Sequence, residues 1–388
     1  MALRTLDSVK HLARRTVLVR IGCDVPMQVR KIVDDARLRE ILPTVRYLER
    51  KRARIILAGH LGRPSGKVVP TLSLKPIGYT LGKLLRHKVK VMPLDNPHAI
   101  RQAAKTNIVL LENLRFNPGE DKNDRVFVKI LANLADLYVN EAFSVCHRTS
   151  ASIVGVPKYL PSYAGFNLAA EVAALQKIKQ RGQRPVVAII GGAKVADKLP
   201  VIAKLLPRVK AVLTGGGVAN TFLAAKGYKI GSSLVDKSVI PAAKRLLRSS
   251  KGRIILPIDV IVQKTGNRKK THDWCLVNKV VGKDKIVDLG TATTQLYASL
   301  VKEAKTIFWS GPLGLIEEPV SAHASLALGR LVSARSHRHS FVLIGGGDTA
   351  AFFHKHELTV SQVSTAGGAL LDFLSGNNLP GLKALGYR

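Results

Sequence analysis

The chain has 388 residues, 46% of them apolar, with a mean hydropathy of +0.10. That composition excludes a disordered or fibrous chain and leaves room for two domains with their own cores, while no apolar run reaches the roughly 18 residues a membrane-crossing helix needs. Sixty-one Lys and Arg against 26 Asp and Glu give a formal charge of +35, which leaves two readings open: a surface that attracts polyanions, or basic residues that are spread along the chain and merely solvated.

The first 15 residues are basic and weakly amphipathic, but a strand pattern follows at once, so they are taken as mature sequence rather than a leader. Cys23, Cys146 and Cys275 are odd in number and lack metal-ligand spacing, which favours a reducing, cytoplasmic setting. Apolar runs predict strands at residues 17–19, 54–57, 89–91 and 108–111, and helical periodicity predicts helices at 37–52, 72–85 and 126–134. Such alternation implies a parallel sheet with crossover helices. Ligands of parallel sheets sit beyond the carboxyl ends of the strands. The residues at those exits are Arg20 to Asp24, then His60-Leu61-Gly62-Arg63, then Arg115, then His147-Arg148, a set of arginines and histidines that would converge on one basic cleft.

A helical pattern over residues 165–180 and the polar break Gln180-Arg181-Gly182-Gln183-Arg184-Pro185 read as the bridge between two domains. The alternation then restarts, with strands expected at 186–190, 211–213, 254–256, 306–309 and 341–344. Residues 263–287, with Arg268-Lys269-Lys270, read as an exposed polar excursion. The run Val186-Val187-Ala188-Ile189-Ile190-Gly191-Gly192-Ala193-Lys194 predicts a buried strand, a glycine turn and a helix start. That combination collects unpaired N–H groups and the positive end of a helix dipole, with Lys194 and Lys198 one turn apart. Alone, it is equally an ordinary βα turn. The unit recurs at Val212-Leu213-Thr214-Gly215-Gly216-Gly217 and at Leu343-Ile344-Gly345-Gly346-Gly347-Asp348, as a nucleotide lying across several strand exits would require.

The motifs Val17-Leu18-Val19-Arg20 with Val25-Pro26, Asp34-Asp35-Ala36-Arg37, His60-Leu61-Gly62-Arg63-Pro64 and Leu111-Glu112-Asn113-Leu114-Arg115-Phe116 are followed by Ala142-Phe143 before His147-Arg148. Then come Gly191-Gly192-Ala193-Lys194, Gly215-Gly216-Gly217, Trp309-Ser310-Gly311-Pro312, Gly345-Gly346-Gly347-Asp348-Thr349 and Ser364-Thr365-Ala366-Gly367-Gly368. In this order and spacing the chain resembles the phosphoglycerate kinase family almost end to end. The resemblance implies an α/β fold of two doubly wound, Rossmann-like parallel-sheet domains joined by a hinge helix. The boundaries expected are 1–164 for a 3-phosphoglycerate domain, 165–185 for the helix and linker, 186–370 for a nucleotide domain, and 371–388 for a tail returning to the first domain.

It further implies reversible phosphoryl transfer between 1,3-bisphosphoglycerate with ADP and 3-phosphoglycerate with ATP, in a cytoplasmic, monomeric glycolytic enzyme that uses Mg²⁺. His60, Arg63, Arg115 and Arg148 would hold the triose phosphate, with Gly22, Cys23, Asp24, Leu61 and Gly62 in the same loops. Arg37 and Lys194 would act on the transferring group. Lys198, Gly192, Ala193, Gly216, Pro312, Gly346, Gly347 and Thr349 would meet the nucleotide, Glu317 its ribose, and Asp348 the Mg²⁺. Such chemistry needs positioning and charge neutralisation rather than a covalent nucleophile, and the resemblance implies domain closure that excludes water.

The chain departs from the family pattern where Arg20-Ile21-Gly22-Cys23-Asp24-Val25-Pro26 stands for Arg-Val-Asp-Phe-Asn-Val-Pro. Gly22 removes a substrate-binding Asp, and Asp24 replaces an Asn. Smaller departures are Glu141, Ser310, Thr291 and Ala366 for Asp, Asn, Pro and Gly. They leave an alternative function, a catalytically impaired relative whose basic surface binds RNA or a ribonucleoprotein, and a variant of the first, the same chemistry on a related acid.

Overall fold

The computed structural model describes residues 3–28, 31–179, 183–265 and 270–387. It divides into two compact units, one of residues 1–173 with 378–388 and one of residues 174–377.

The first unit is built on six parallel strands, β1 (Thr16–Ile21), β4 (Arg54–Ala58), β5 (Val89–Met92), β6 (Ile108–Leu111), β7 (Leu137–Glu141) and β8 (Ser162–Ala164). A two-stranded ribbon, β2 (Met27–Gln28) with β3 (Lys31–Ile32), follows β1. The sheet order is β5-β6-β4-β1-β7-β8, with Val19 opposite Leu57 on one side and Val139 on the other. The strands are apolar on both faces because helices cover both. Val17, Val19, Leu57, Leu110 and Val139 belong to one buried cluster with Ile77 and Leu81 of α3 (Lys75–Leu85).

The helix expected over 37–52 is two helices, α1 (Ala36–Glu40) and α2 (Leu42–Arg50). Pro43 has no N–H to donate to the carbonyl one turn earlier, so the backbone restarts there. The expected start at residue 72 moves to Lys75, where Pro76 suits a first turn. α4 (Pro97–Ala103), α5 (Pro118–Lys122) and α6 (Arg125–Ala132) complete the crossovers, and α15 (Pro380–Ala384) packs here, with Gly381 N–H donating to Cys146 O at 2.8 Å.

The long helix α7 (Phe166–Lys179) runs from the first unit into the second. Its N-terminus is capped from the first unit, as the main-chain N–H groups of Asn167 and Leu168 donate to Glu141 at 3.1 and 3.0 Å. Thr44 also donates to Glu141 and accepts from Phe166 N–H. Burial pushes the Glu141 carboxyl up to about 7 against those donors. Of the polar break after α7, residues 180–182 lie outside those described.

The second unit repeats the plan. Strands β9 (Val186–Ile190), β10 (Ala211–Thr214), β11 (Ile254–Ile255), β15 (Thr306–Ser310), β16 (Phe341–Gly345) and β17 (Gln362–Ser364) form a parallel sheet in the order β11-β10-β9-β15-β16-β17. The connection changes direction at β9 and β15, the crevice where doubly wound sheets bind ligands. Buried Trp309 and Ile189 share the core with Leu213, Tyr297 and Phe353. The helices are α8 (Val195–Leu205), α9 (Gly216–Lys226), α10 (Ile240–Ser249), α11 (Thr291–Glu303), α12 (His323–Ser336), α13 (Gly347–Lys355) and α14 (Gly368–Leu374).

Residues 263–287 are largely exposed where described, as expected, but much of the segment is regular strand rather than a loose excursion. They lie in an antiparallel sheet of β12 (Asp259–Thr265), β13 (Lys270–Leu276) and β14 (Lys285–Leu289). Val260 and Val262 bury one face of that sheet against Leu223, Val277 and Val280. Arg268 and Lys269 lie outside the described residues.

Candidate functional site

In the first unit the exits of four adjacent strands carry the charged residues. β1 leads into Gly22, Cys23 and Asp24, β4 into Gly59 and His60 to Arg63, β6 into Asn113 and Arg115, and β7 into a turn ending at Arg148. Asp24 Oδ1 accepts from Gly62 N–H at 3.0 Å, and Asp24 O accepts from Arg37 Nη1 at 2.5 Å. Gly62 O accepts from Arg115 Nη1 at 2.9 Å, while Arg115 Nε pairs with Asp121 at 3.2 Å. The loops after β1 and β4, joined by the Asp24–Gly62 bond, thereby hold two arginines. Asn113 fixes the neighbouring turn, donating to Leu61 O and Leu72 O. Arg63 and Arg148 are exposed, and His60 is buried.

The His60 pKa lies well below the ordinary value because of burial first, and then because of the fields of Arg20, Arg115, Arg37 and Arg148. Those fields place the four arginines around one imidazole, which stays neutral. Cys23 is fully buried, donates to His60 O at 3.3 Å, and is pushed up to about 12 by burial, so it packs rather than reacts. Arg20, at the end of β1, is 1% exposed and meets this cluster from its buried side, with Nη2 2.7 Å from His60 Nδ1.

In the second unit the exits of β10, β9, β15 and β16 are again neighbours. Gly191 approaches the β15 exit so closely that a Cβ on it would lie 2.1 Å from Pro312 O, and Gly192 turns with φ +88°. Gly192 N–H donates to Pro312 O at 2.8 Å, and Gly311 N–H donates to Thr349 Oγ1 at 2.7 Å. Two openings result. One is a largely apolar cavity of about 410 Å³ whose lining includes Gly216, Leu313, Ile316, Glu317 and Phe352. The other, about 490 Å³, is lined by Lys194, Lys198, Gly346, Gly347 and Thr349. Gly192, Ala193, Pro312 and Asp348 line both.

The second opening receives the N-termini of α8 and α13, neither of which carries a side-chain cap, so their first-turn N–H groups and dipoles face it. Lys194 is exposed at the start of α8, and Lys198, one turn on, donates to Ser310 Oγ. Burial draws the Lys198 pKa down to about 8, Asp197 and Asp348 oppose that shift, and Lys194 adds to it. Asp348 is exposed in the first turn of α13. Among the described residues no group of three or more His, Cys, Asp or Glu comes together. An exposed carboxylate beside an anion recess suits a hard cation that takes its other ligands from phosphate and water; Asp197 and Asp372 line the same opening.

All the residues named for the nucleotide thus line one or both openings, and those named for the triose phosphate share the loops at four adjacent strand exits. The sequence reading missed much of the wall of the first cavity, including apolar Leu234, Leu313, Ile316 and Phe352 and polar Asn220. Asn220 lies one turn beyond Gly216, a spacing that could have shown it; the others carry no local signal.

The model of the family described as phosphoglycerate kinase matches residues 6–377. The chain belongs to the phosphoglycerate kinase family. It is 42% identical over 394 residues to the phosphoglycerate kinase of Moorella thermoacetica and 41% over 392 residues to that of Thermomicrobium roseum, in both cases over 99% of each chain. The solved structure of phosphoglycerate kinase from Coxiella burnetii has a TM-score of 0.86 at 36% identity, over 99% of both chains. That of the enzyme from Pyrococcus horikoshii has the same TM-score at 28% identity, over 99% of this chain and 98% of the other. The two-unit parallel α/β architecture expected from the sequence is therefore the family's fold, and the chain is a glycolytic kinase.

Proposed function

We propose that the first unit binds 3-phosphoglycerate and the second binds ATP or ADP with Mg²⁺, in a cytoplasmic monomer. The observation that carries this is the pair of openings joined at Gly192, Ala193, Pro312 and Asp348. The apolar one suits a base and ribose, with Glu317 as ribose partner. The lysine-lined one suits phosphates, with Gly346, Gly347 and Thr349 beside Lys198. Asp348, at their shared edge, would hold Mg²⁺, which when bound neutralises phosphate charge.

His60, Arg63, Arg115 and Arg148 hold the triose phosphate, with Gly22, Cys23, Asp24, Leu61 and Gly62 shaping their loops. Arg37 and Lys194 act on the transferring phosphoryl group, where cations strengthen their hold as charge spreads over its oxygens. The comparisons carry nothing for the RNA-binding alternative.

A coupled assay with MgATP and 3-phosphoglycerate tests the reading, with turnover expected. No turnover, alongside tight salt-sensitive RNA binding, would sink it. The open space at Gly22, where a Cβ would meet only Ser144 Oγ at 3.7 Å, favours one second reading, the same transfer on a related phosphorylated hydroxy acid. Titrating several such acids separates the two.

A further inference from the structure

Arg20 is a cation almost sealed from water inside β1, and a buried charge is costly unless it is paired and hydrogen-bonded. Its guanidinium is occupied on all three nitrogens. Nη1 donates to Ile21 O, Nε donates to Ser152 Oγ at 2.8 Å, and Nη2 meets His60 Nδ1 at 2.7 Å. The counter-charge is reached through Ser152, whose hydroxyl donates to Glu120 Oε1 at 2.6 Å and whose N–H donates to Glu120 Oε2 at 3.0 Å. Glu120 is itself 1% exposed. Tyr138 closes the group, its hydroxyl donating to Ser152 O at 2.7 Å.

Every bond runs one way, from Arg20 through Ser152 to Glu120. The far end of Arg20 settles the state of His60. A guanidinium has no acceptor, so His60 Nδ1 must accept, and its single proton sits on Nε2.

We propose that Glu120, Ser152 and Arg20 form a positioning relay that fixes His60 as a neutral Nε2–H donor to the triose phosphate. This rests on the reading of His60 as a triose-phosphate ligand. A freely titrating imidazole would change the charge of the cluster between pH 5 and 8 and would exchange donor for acceptor at Nε2. Burial first, and then the cations facing His60, hold it neutral: Arg20 from β1, Arg115 after β6, Arg37 from α1 and Arg148 after β7, with the un-ionised Cys23 thiol on its carbonyl. The relay then chooses which nitrogen bears the proton. Arg20, Ser152 and Glu120 are positioning residues, since none of them belongs to the set assigned to the substrate.

Long-range ¹H–¹⁵N spectra of the full-length protein with ¹⁵N-labelled histidine, with His60 assigned by its loss in H60Q, test the proposal. The wild type is expected to show a pure Nε2–H tautomer with constant shifts from pH 5.5 to 8.5. In the charge-balanced variant R20M/E120Q, His60 is expected to mix tautomers and titrate. In S152A, which keeps both charges and breaks the link, tautomers should mix and KM for 3-phosphoglycerate should rise about tenfold, with kcat within about twofold.

A wild-type His60 in the Nδ1–H form, or one titrating near the ordinary 6.5 or so, overturns the relay. So does an unchanged His60 spectrum in S152A, which stays informative even if the double variant does not fold. A shifted spectrum with unchanged KM keeps the relay and removes His60 from the triose-phosphate ligands.

Discussion

Gly22→Asp places a carboxylate back at the exit of β1. Gly22 is half-buried, its φ lies outside the left-handed range, and a Cβ would make only an ordinary contact, 3.7 Å from Ser144 Oγ. The substitution therefore carries no steric penalty, and by restricting the unfolded chain it should stabilise the fold by about 0.4–1 kcal/mol. A hydrogen bond from a substrate hydroxyl to a carboxylate contributes about 1.5–3 kcal/mol. Repulsion between the new carboxylate and the anionic substrate removes about 1 kcal/mol at a solvated site. The net gain of roughly 0.5–2 kcal/mol lowers KM for 3-phosphoglycerate about 2- to 30-fold. With MgATP saturating, a coupled assay of 1,3-bisphosphoglycerate formation should show that fall, with kcat within about twofold and KM for MgATP unchanged. An unchanged or higher KM for the acid, with a Tm no lower than that of the wild type, would refute the reasoning and mean that the loop meets substrate in another way.

Lys194→Ala should lower kcat about 10²–10³-fold while changing both KM values little, because its assigned role is realised in the transition state; a rise in KM alone, seen in steady-state kinetics, would contradict it. Lys198, held at about 8, loses its charge above that pH, so KM for MgATP should rise by up to about tenfold per pH unit from pH 8, and K198R should remove the dependence. In the free enzyme the folded state binds fewer protons than the unfolded chain between pH 8 and the ordinary lysine value. The cost of burying Lys198 is thus fully felt below pH 8 and fades above it, which pH-dependent melts of the wild type and K198M would show. Gly191→Ala forces a Cβ to within 2.1 Å of Pro312 O, and should lower Tm by roughly 5 °C and raise KM for MgATP at least about tenfold.

The strands at the middle of each sheet were legible because they are short apolar runs bounded by glycine or charge, as in residues 186–190 and 108–111. β7 was not, because Leu137-Tyr138-Val139-Asn140-Glu141 ends in two buried polar residues with long-range reasons to be there. Asn140 Oδ1 accepts from Ala142 N–H, and Glu141 caps α7. β13, Lys270–Leu276, was lost for a related reason, since Trp274 and Leu276 are exposed and the strand exists by pairing with β12. At the site, glycines and cations could be read in order because backbone geometry and charge are local. The apolar wall of the nucleotide cavity, and the inward turn of Arg20 toward Ser152, depend on packing across more than a hundred residues.

The two changes in the loop after β1 are not equal losses. An Asp oxygen at position 24 accepts the Gly62 N–H as an Asn oxygen could, and the Asp24 main-chain carbonyl accepts from Arg37 whatever the side chain is. The loop after β4, tied to Asp24 by that bond, holds Arg115 through Gly62 O. Asp24 therefore keeps the geometry that sets two arginines and changes only the charge, by one unit among several cations. Gly22 removes a side chain outright, and its place in the fold stays open. Any drift in which acid this enzyme prefers therefore originates at residue 22, and substrates lacking the hydroxyl that an Asp there would accept should be the ones discriminated against least.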